Sequence, residues 1–168
     1  MRKVIEGNVG LERLHFTELF DLSDVEVRGS FDCSGNYLTS LKGTPHTVGG
    51  SFYCHDSGVT SLSGGPKTVG GWFSCYNNHL TSLEGAPHTV GGDFDCSDNQ
   101  LSNLKGAPKS VNGNFDCRSN QLKSIKDIPK IIEGNFLLDK HLIEKYTLKY
   151  IYSLSDIKGR VTAGFFFY

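Results

Sequence analysis

The chain has 168 residues and a mass of 18.5 kDa, enough for one domain with a buried core. Lys and Arg number 17 against 18 Asp and Glu, and the net charge of −1 argues against a protein built mainly for bulk nucleic-acid or anionic-membrane binding. No apolar run approaches the roughly 18 residues of a membrane span, and the stretch from Met1 to Glu12 is too charged for the apolar part of a signal peptide.

Glycine is 20 of 168 residues, well above its usual share. The excess is not linker-like, because the glycines recur at a fixed interval. All five cysteines lie 21 residues apart (Cys33, Cys54, Cys75, Cys96, Cys117), and so do all five prolines (Pro45, Pro66, Pro87, Pro108, Pro129). Phe31, Phe52, Phe73, Phe94, Phe115 and Phe136 form a third column in register, and Val27, Val48, Val69, Val90, Val111 and Ile132 a fourth. Leu38, Val59, Leu80, Leu101 and Leu122 form a fifth, and Leu41, Leu62, Leu83, Leu104 and Ile125 a sixth. Self-similarity at one short period is the mark of a solenoid, in which each unit buries its apolar face only by stacking on its neighbours.

The shared spelling is V-x-G-x-F-x-C-x-x-N-x-L-x-x-L, as in Val90-Gly91-Gly92-Asp93-Phe94-Asp95-Cys96-Ser97-Asp98-Asn99-Gln100-Leu101. It resembles a leucine-rich repeat, L-x-x-L-x-L-x-x-N-x-L, with Phe and Cys where strand leucines usually sit. The resemblance covers about residues 25–138, and the G-A-P-x-x-V-G-G spelling looks most like the short repeat proteins of tailed bacteriophages. It implies a repeat solenoid with a parallel β-sheet, an irregular non-helical convex side, small helical elements at the caps, and use as an interaction scaffold.

In chain order, residues 1–26 are expected to form an N-terminal cap coil, because Ile5-Glu6-Gly7-Asn8-Val9 repeats the motif 22 residues before Val27. A short helix near Leu11 to Phe20 would cover that end. Residues 27–138 hold the regular repeats, each predicted to give one short strand centred on Phe-x-Cys; Pro leaves the convex side without a full helix. Residues 139–168 form the C-terminal cap: a helix over about 139–149, capped by Asp139 with Leu142, Ile143 and Tyr146 inward, then Ile157-Lys158-Gly159-Arg160-Val161 as the eighth coil. The domain is single, spanning 1–168. Strand stacking at about 4.8 Å gives eight coils a length of roughly 35 Å.

Several columns invite chemistry that their geometry opposes. A single file of parallel cysteines cannot converge on a tetrahedral zinc, and thiols one coil apart are too far for a disulfide. The expectation is buried, free thiols in a reducing compartment, hence a cytoplasmic protein. The glycines two before each Phe (Gly29, Gly50, Gly71, Gly92, Gly113, Gly134) mark a tight bend or positive φ in preference to a phosphate cradle. Asn36, Asn78, Asn99 and Asn120, with Ser57 as the exception, are expected to satisfy buried backbone groups.

Function is expected on the outward residues of the Phe-Cys strands, which are free to vary between coils. Tyr53, His55, Trp72 and Tyr76 form an aromatic cluster, and Trp72 is the chain's only tryptophan. Asp93, Asp95 and Asp116 form an acidic cluster beside it, with Arg118 at its margin. Clustered exposed Trp and Tyr are typical interface anchors, and stacked acids call for a basic partner surface or a cation. The stripe His46, Lys67, His88, Lys109, Lys130 reads as a solvated edge, since no aromatics interleave with it for nucleic-acid binding. No nucleophile, base and orienting group come together in the sequence. The closing Phe165, Phe166, Phe167 and Tyr168 would either cap the last coil or drive self-association. The reading is a non-enzymatic protein-binding module with no cofactor, no metal, no membrane and no nucleic-acid partner. Self-assembly and small-ligand or nucleotide binding are the alternatives. The bacteriophage resemblance implies a role in blocking a host bacterial protein, such as a defence factor, in the host cytoplasm.

Overall fold

The computed structural model describes residues 3–163. The chain winds through eight coils, and each coil lays down two short strands. In order these are β1 (Lys3–Ile5) and β2 (Val9–Gly10), β3 (Val25–Val27) and β4 (Phe31–Asp32), β5 (Thr47–Val48) and β6 (Phe52–Tyr53), β7 (Thr68–Val69) and β8 (Phe73–Ser74). They continue as β9 (Thr89–Val90) and β10 (Phe94–Asp95), β11 (Ser110–Val111) and β12 (Phe115–Asp116), β13 (Ile131–Ile132) and β14 (Phe136–Leu137), and β15 (Asp156–Ile157) and β16 (Val161–Thr162). The odd-numbered strands form one eight-stranded parallel sheet and the even-numbered strands a second. The protein is a parallel β-solenoid with a period of 21 residues in its regular part.

One strand per coil was the expectation, and the Val column adds a second. Thr47-Val48 and its equivalents pair coil to coil as Phe52-Tyr53 and its equivalents do, separated only by the Gly-Gly bend. The third side of each coil, the L-x-x-L segment, pairs more loosely; its one β-bridge joins Ser40 to Ser61 among the described residues. The atypical end coils fall in the register their spelling predicts. Ile5 lies opposite Val27 and Val9 opposite Phe31, while Ile157 lies opposite Ile132 and Val161 opposite Phe136.

The core is a set of ladders. The six Phe rings stack one above another at 5.2–5.8 Å between centroids. Each is buried, as are the Val, Leu and Cys columns, and a fully buried side chain of this size contributes about 1.5–3 kcal/mol relative to exposure. All five cysteines are free and buried, and burial pushes every thiol well above its ordinary pKa.

The Asn column does what it was expected to do. The Asn99 side-chain oxygen accepts from Leu80 N (2.9 Å), and its NH2 donates to the carbonyls of Cys75 (3.0 Å), Cys96 (3.2 Å) and Ser97 (3.0 Å). One amide thus ties its own coil to the preceding one where the strand turns. Asn36, Asn78 and Asn120 repeat the pattern. Ser57 is too short to do so: its hydroxyl donates to the His55 carbonyl (3.3 Å) and accepts from Asn36 N (3.3 Å).

Three further expectations need correction. Residues 11–20 run as turns and open coil, not as a helix; they follow the third side of a coil, with Leu14 N and Phe16 N both donating to the Asn36 side chain (3.1 and 3.0 Å). The C-terminal helix is split into α1 (Lys140–Lys145) and α2 (Leu148–Leu154), because Tyr146 is extended and Thr147 starts the second helix by accepting from Tyr150 N. Asp139 stands at the N-cap of α1, but its carboxylate accepts from Ser119 N (2.9 Å) and Asn120 N (3.3 Å) in the coil before. Leu142 is buried, with Ile143 and Tyr146 partly so.

The third correction concerns glycine. Positive φ falls at Gly43, Gly64, Gly85 and Gly106, in the turns before Pro45, Pro66, Pro87 and Pro108, not at the glycines two before Phe. Those instead mark close stacking of successive bends: a Cβ on Gly50 would lie 2.8 Å from the Gly29 carbonyl carbon.

Candidate functional site

The outer face of the even-numbered sheet carries the residues that the repeat leaves free. Along each strand the side chains alternate, so Phe73 and Cys75 point inward while Trp72, Ser74 and Tyr76 point away from the ladder. Trp72 is 54% exposed. Its backbone N–H donates to Ser51 Oγ (3.0 Å), and its indole rests over the Gly92 backbone of the next coil, where a Cβ would collide with Trp72 Cδ1. A glycine required for coil stacking therefore also seats the one exposed tryptophan.

Tyr53, His55 and Tyr76 are brought into one stack. The imidazole lies against the Tyr76 ring (centroids 4.5 Å, 11° between planes) and meets the Tyr53 ring edge-on (6.0 Å, 87°). Trp72 is on the same face but joins no ring stack among the described residues. Tyr76 OH donates to Asp56 Oδ2 (3.3 Å), and Asn77 Nδ2 donates to Asp56 Oδ1 (2.6 Å). His55 Nδ1 is 3.4 Å from Ser74 Oγ and Nε2 is 4.0 Å from Asp56 Oδ2. Burial pulls the His55 pKa below its ordinary value, against the opposing pull of Asp56 and Asp32. Burial and the neighbouring Asp56 push the Tyr76 phenol up.

Sequence reasoning found no nucleophile beside His55, and the fold supplies a hydroxyl, an imidazole and a carboxylate in Ser74, His55 and Asp56. Their geometry is that of packing. Ser74 is only 8% exposed, and both Asp56 oxygens already accept from neighbours.

The acidic cluster is brought together, but its carboxylates are engaged within the chain. Asp95 Oδ1 accepts from Ser97 N (2.9 Å) and Ser97 Oγ (2.6 Å), and Asp32 holds Ser34 in the same way. Asp116 accepts from Arg118 N (3.1 Å) and takes its guanidinium in two-pronged fashion, Nε on Oδ1 (2.9 Å) and Nη2 on Oδ2 (2.5 Å). Asp93 accepts from the backbone (2.7 Å) and side-chain (3.3 Å) N–H groups of Asn114. Burial raises the Asp95 pKa; Ser97 and Arg118 oppose it and Asp116 adds to it. Hydrogen bonding to Asp116 raises the Arg118 pKa. The acids turn the chain after each strand and carry residual negative charge at the edge of the aromatic patch.

One column escaped sequence reasoning. Gly35, Asp56, Asn77, Asp98 and Ser119 all have positive φ, between 48° and 65°. The residue types were the signal, since Gly, Asn and Asp tolerate this region. It turns the chain beside Asn36, Ser57, Asn78, Asn99 and Asn120, and it places Asp56 and Asn77 next to Tyr76.

The stripe His46, Lys67, His88, Lys109, Lys130 is exposed along the rim of the odd-numbered sheet. Phe165, Phe166, Phe167 and Tyr168 lie outside the described residues. Among the described residues no His, Cys, Asp or Glu group of three or more is placed to hold a metal, and no helix is long and apolar enough to cross a membrane. Comparison of the chain with protein-family models, with curated proteins and with solved structures finds no match.

Proposed function

We propose that the protein is a non-enzymatic binding module that engages a protein partner through the outer face of the even-numbered sheet. The observation that carries this reading is Trp72, the only tryptophan, 54% exposed and seated on Gly92 beside the His55–Tyr76 stack. Large rigid aromatics held in place give contact area at small entropic cost, which is how interface anchors work. Tyr53, His55 and Tyr76 would extend the apolar contact. Asp93, Asp95 and Asp116, partly offset by Arg118, would supply a negative field that favours a basic or mixed partner surface and speeds encounter. Their oxygens are taken, so their part is steering more than direct contact.

The resemblance of the repeat to leucine-rich repeats, and of its Gly-Pro spelling to repeat proteins of tailed bacteriophages, favours a scaffold that blocks a host bacterial protein in the cytoplasm. The test is capture from bacterial lysate by wild type and by Trp72→Ala/Tyr76→Ala, with folding of the variant checked by circular dichroism. A protein held by wild type and lost from the variant is the expected result. Equal capture by both would move the site off this face.

A further inference from the structure

Charge is sorted along the solenoid axis, and most of the exposed apolar residues lie toward its two ends. Residues 3–26, the first coil and its approach to the second, hold two cations against six carboxylates. Residues 112–163, the last coils and the two helices, hold nine cations against six carboxylates. Pairing does not cancel the excess at either end. Glu12 and Glu18 have no ion pair within the described residues, and at the other end neither do Lys149 and Arg160. All four side chains are exposed.

Six of the nine exposed large apolar residues among the described residues lie at the same two ends, the others being Tyr37, Trp72 and Ile131. Val4, Leu14 and Phe20 mark the first coil; Leu148, Tyr150 and Tyr152 mark the helical end. The sheets also stop there, since β1 and β2 at one end and β15 and β16 at the other each have a strand neighbour on one side only among the described residues.

We propose that the acidic first coil of one copy docks on the basic, helix-bearing last coil of a second copy, head to tail. Opposite charge aligns the ends, and burial of the apolar residues holds them. The two contacting surfaces differ, so the contact is heterologous and each added copy leaves a free acidic and a free basic end; such a contact builds open chains. This association goes beyond the partner-binding reading: it uses the ends of the solenoid and leaves Trp72 and Tyr76 outward along its side.

The test is sedimentation velocity of the full chain over a wide concentration range at low and high salt. Wild type is compared with Glu12→Lys/Glu18→Lys, with Lys149→Glu/Arg160→Glu, and with an equimolar mixture of the two variants. Charge attraction between exposed ends acts over about 8 Å at 0.15 M salt and about 3 Å at 1 M. The expected result is concentration-dependent oligomers of wild type that shrink at high salt, loss of oligomers in each variant alone, and their return on mixing, where each reversed end meets its complement. Recovery on mixing also shows that neither variant had merely unfolded. Wild type that stays monomeric throughout would overturn the proposal. So would oligomers that persist in both variants, since all forms carry the same residues 164–168 and such an association would run through another surface.

Discussion

The inner and outer sides of a single strand answer to different constraints. Inward, positions 31, 52, 73, 94, 115 and 136 are all Phe, and positions 33, 54, 75, 96 and 117 are all Cys. Outward, the positions beside them read Ser30, Ser51, Trp72, Asp93, Asn114, Asn135. Each inner residue packs against the same residue one coil away, so a change of size in one rung is felt by two others. The outer side chains are constrained less: Ser30, Ser51, Asp93, Asn114 and Asn135 each accept from the backbone N–H one coil on, a role that Ser, Asp and Asn all fill, while Trp72 lies over Gly92 instead. Repetition in this protein is imposed by stacking, and the information available to a partner lies where stacking leaves the side chain a choice.

That contrast is open to breakage by mutation. The largest expected effect is on the inside: Phe94→Ala removes a ring stacked between Phe73 and Phe115 and should cost about 3–5 kcal/mol in chemical denaturation. Trp72→Ala, on the other side of the same sheet, should change stability by no more than about 0.5 kcal/mol. Equal losses would erase the distinction between the two sides.

The Asn ladder sharpens the comparison. Asn99→Ala strands the Leu80 N–H and leaves three carbonyls without this donor, with an expected cost of at least about 1–3 kcal/mol. The reverse change, Ser57→Asn, restores the missing rung and should raise stability by up to about 1 kcal/mol by the same measure. A loss on Ser57→Asn would mean that the rung is set by local packing and not by the ladder.

The smallest effect concerns His55, an outer residue half-drawn into the inside. Its folded pKa lies below the unfolded value, so its contribution to stability is full above the unfolded pKa and is lost as pH falls through the folded one. Asp95 runs the other way: its raised folded pKa makes its contribution full below the unfolded carboxylate value and lost as pH rises through the folded one. Thermal unfolding followed from neutral pH downward should therefore show wild type losing more stability than His55→Phe just below the ordinary histidine pKa. Parallel curves would place the imidazole in a solvent-like setting.

Much of the fold was legible because the code is redundant. Phe, Cys, Val, Leu and Asn each mark the same interval, and the motif located even the atypical coils at Ile5 and Ile157. The second sheet was hidden because most of its strands offer a single inward residue, the Val column, and Thr47-Val48 is indistinguishable from a turn flank when read alone. The absent N-terminal helix has a similar cause: Leu14 and Phe16 face the Asn36 amide as later coils face theirs, so residues 11–20 follow the coil and not their local helical spacing. At the candidate site the aromatic cluster was legible from alternation. The engagement of the acids was also written, as Asp-x-Ser at Asp32 and Asp95 and Asp-x-Arg at Asp116, a side chain reaching the backbone two residues on. What could not be read was the neighbourhood of His55, because Ser74 reaches it, and Asn77 reaches Asp56, only through coil stacking.

The central claim is that position 72 faces outward while position 73 faces the core. A one-residue slip would exchange the two. Because Trp72 is the only tryptophan, acrylamide quenching of its fluorescence in the native protein tests this directly. The account predicts solvent-like emission and quenching close to that of the unfolded chain. Blue-shifted emission shielded from the quencher would place the indole inside and contradict it.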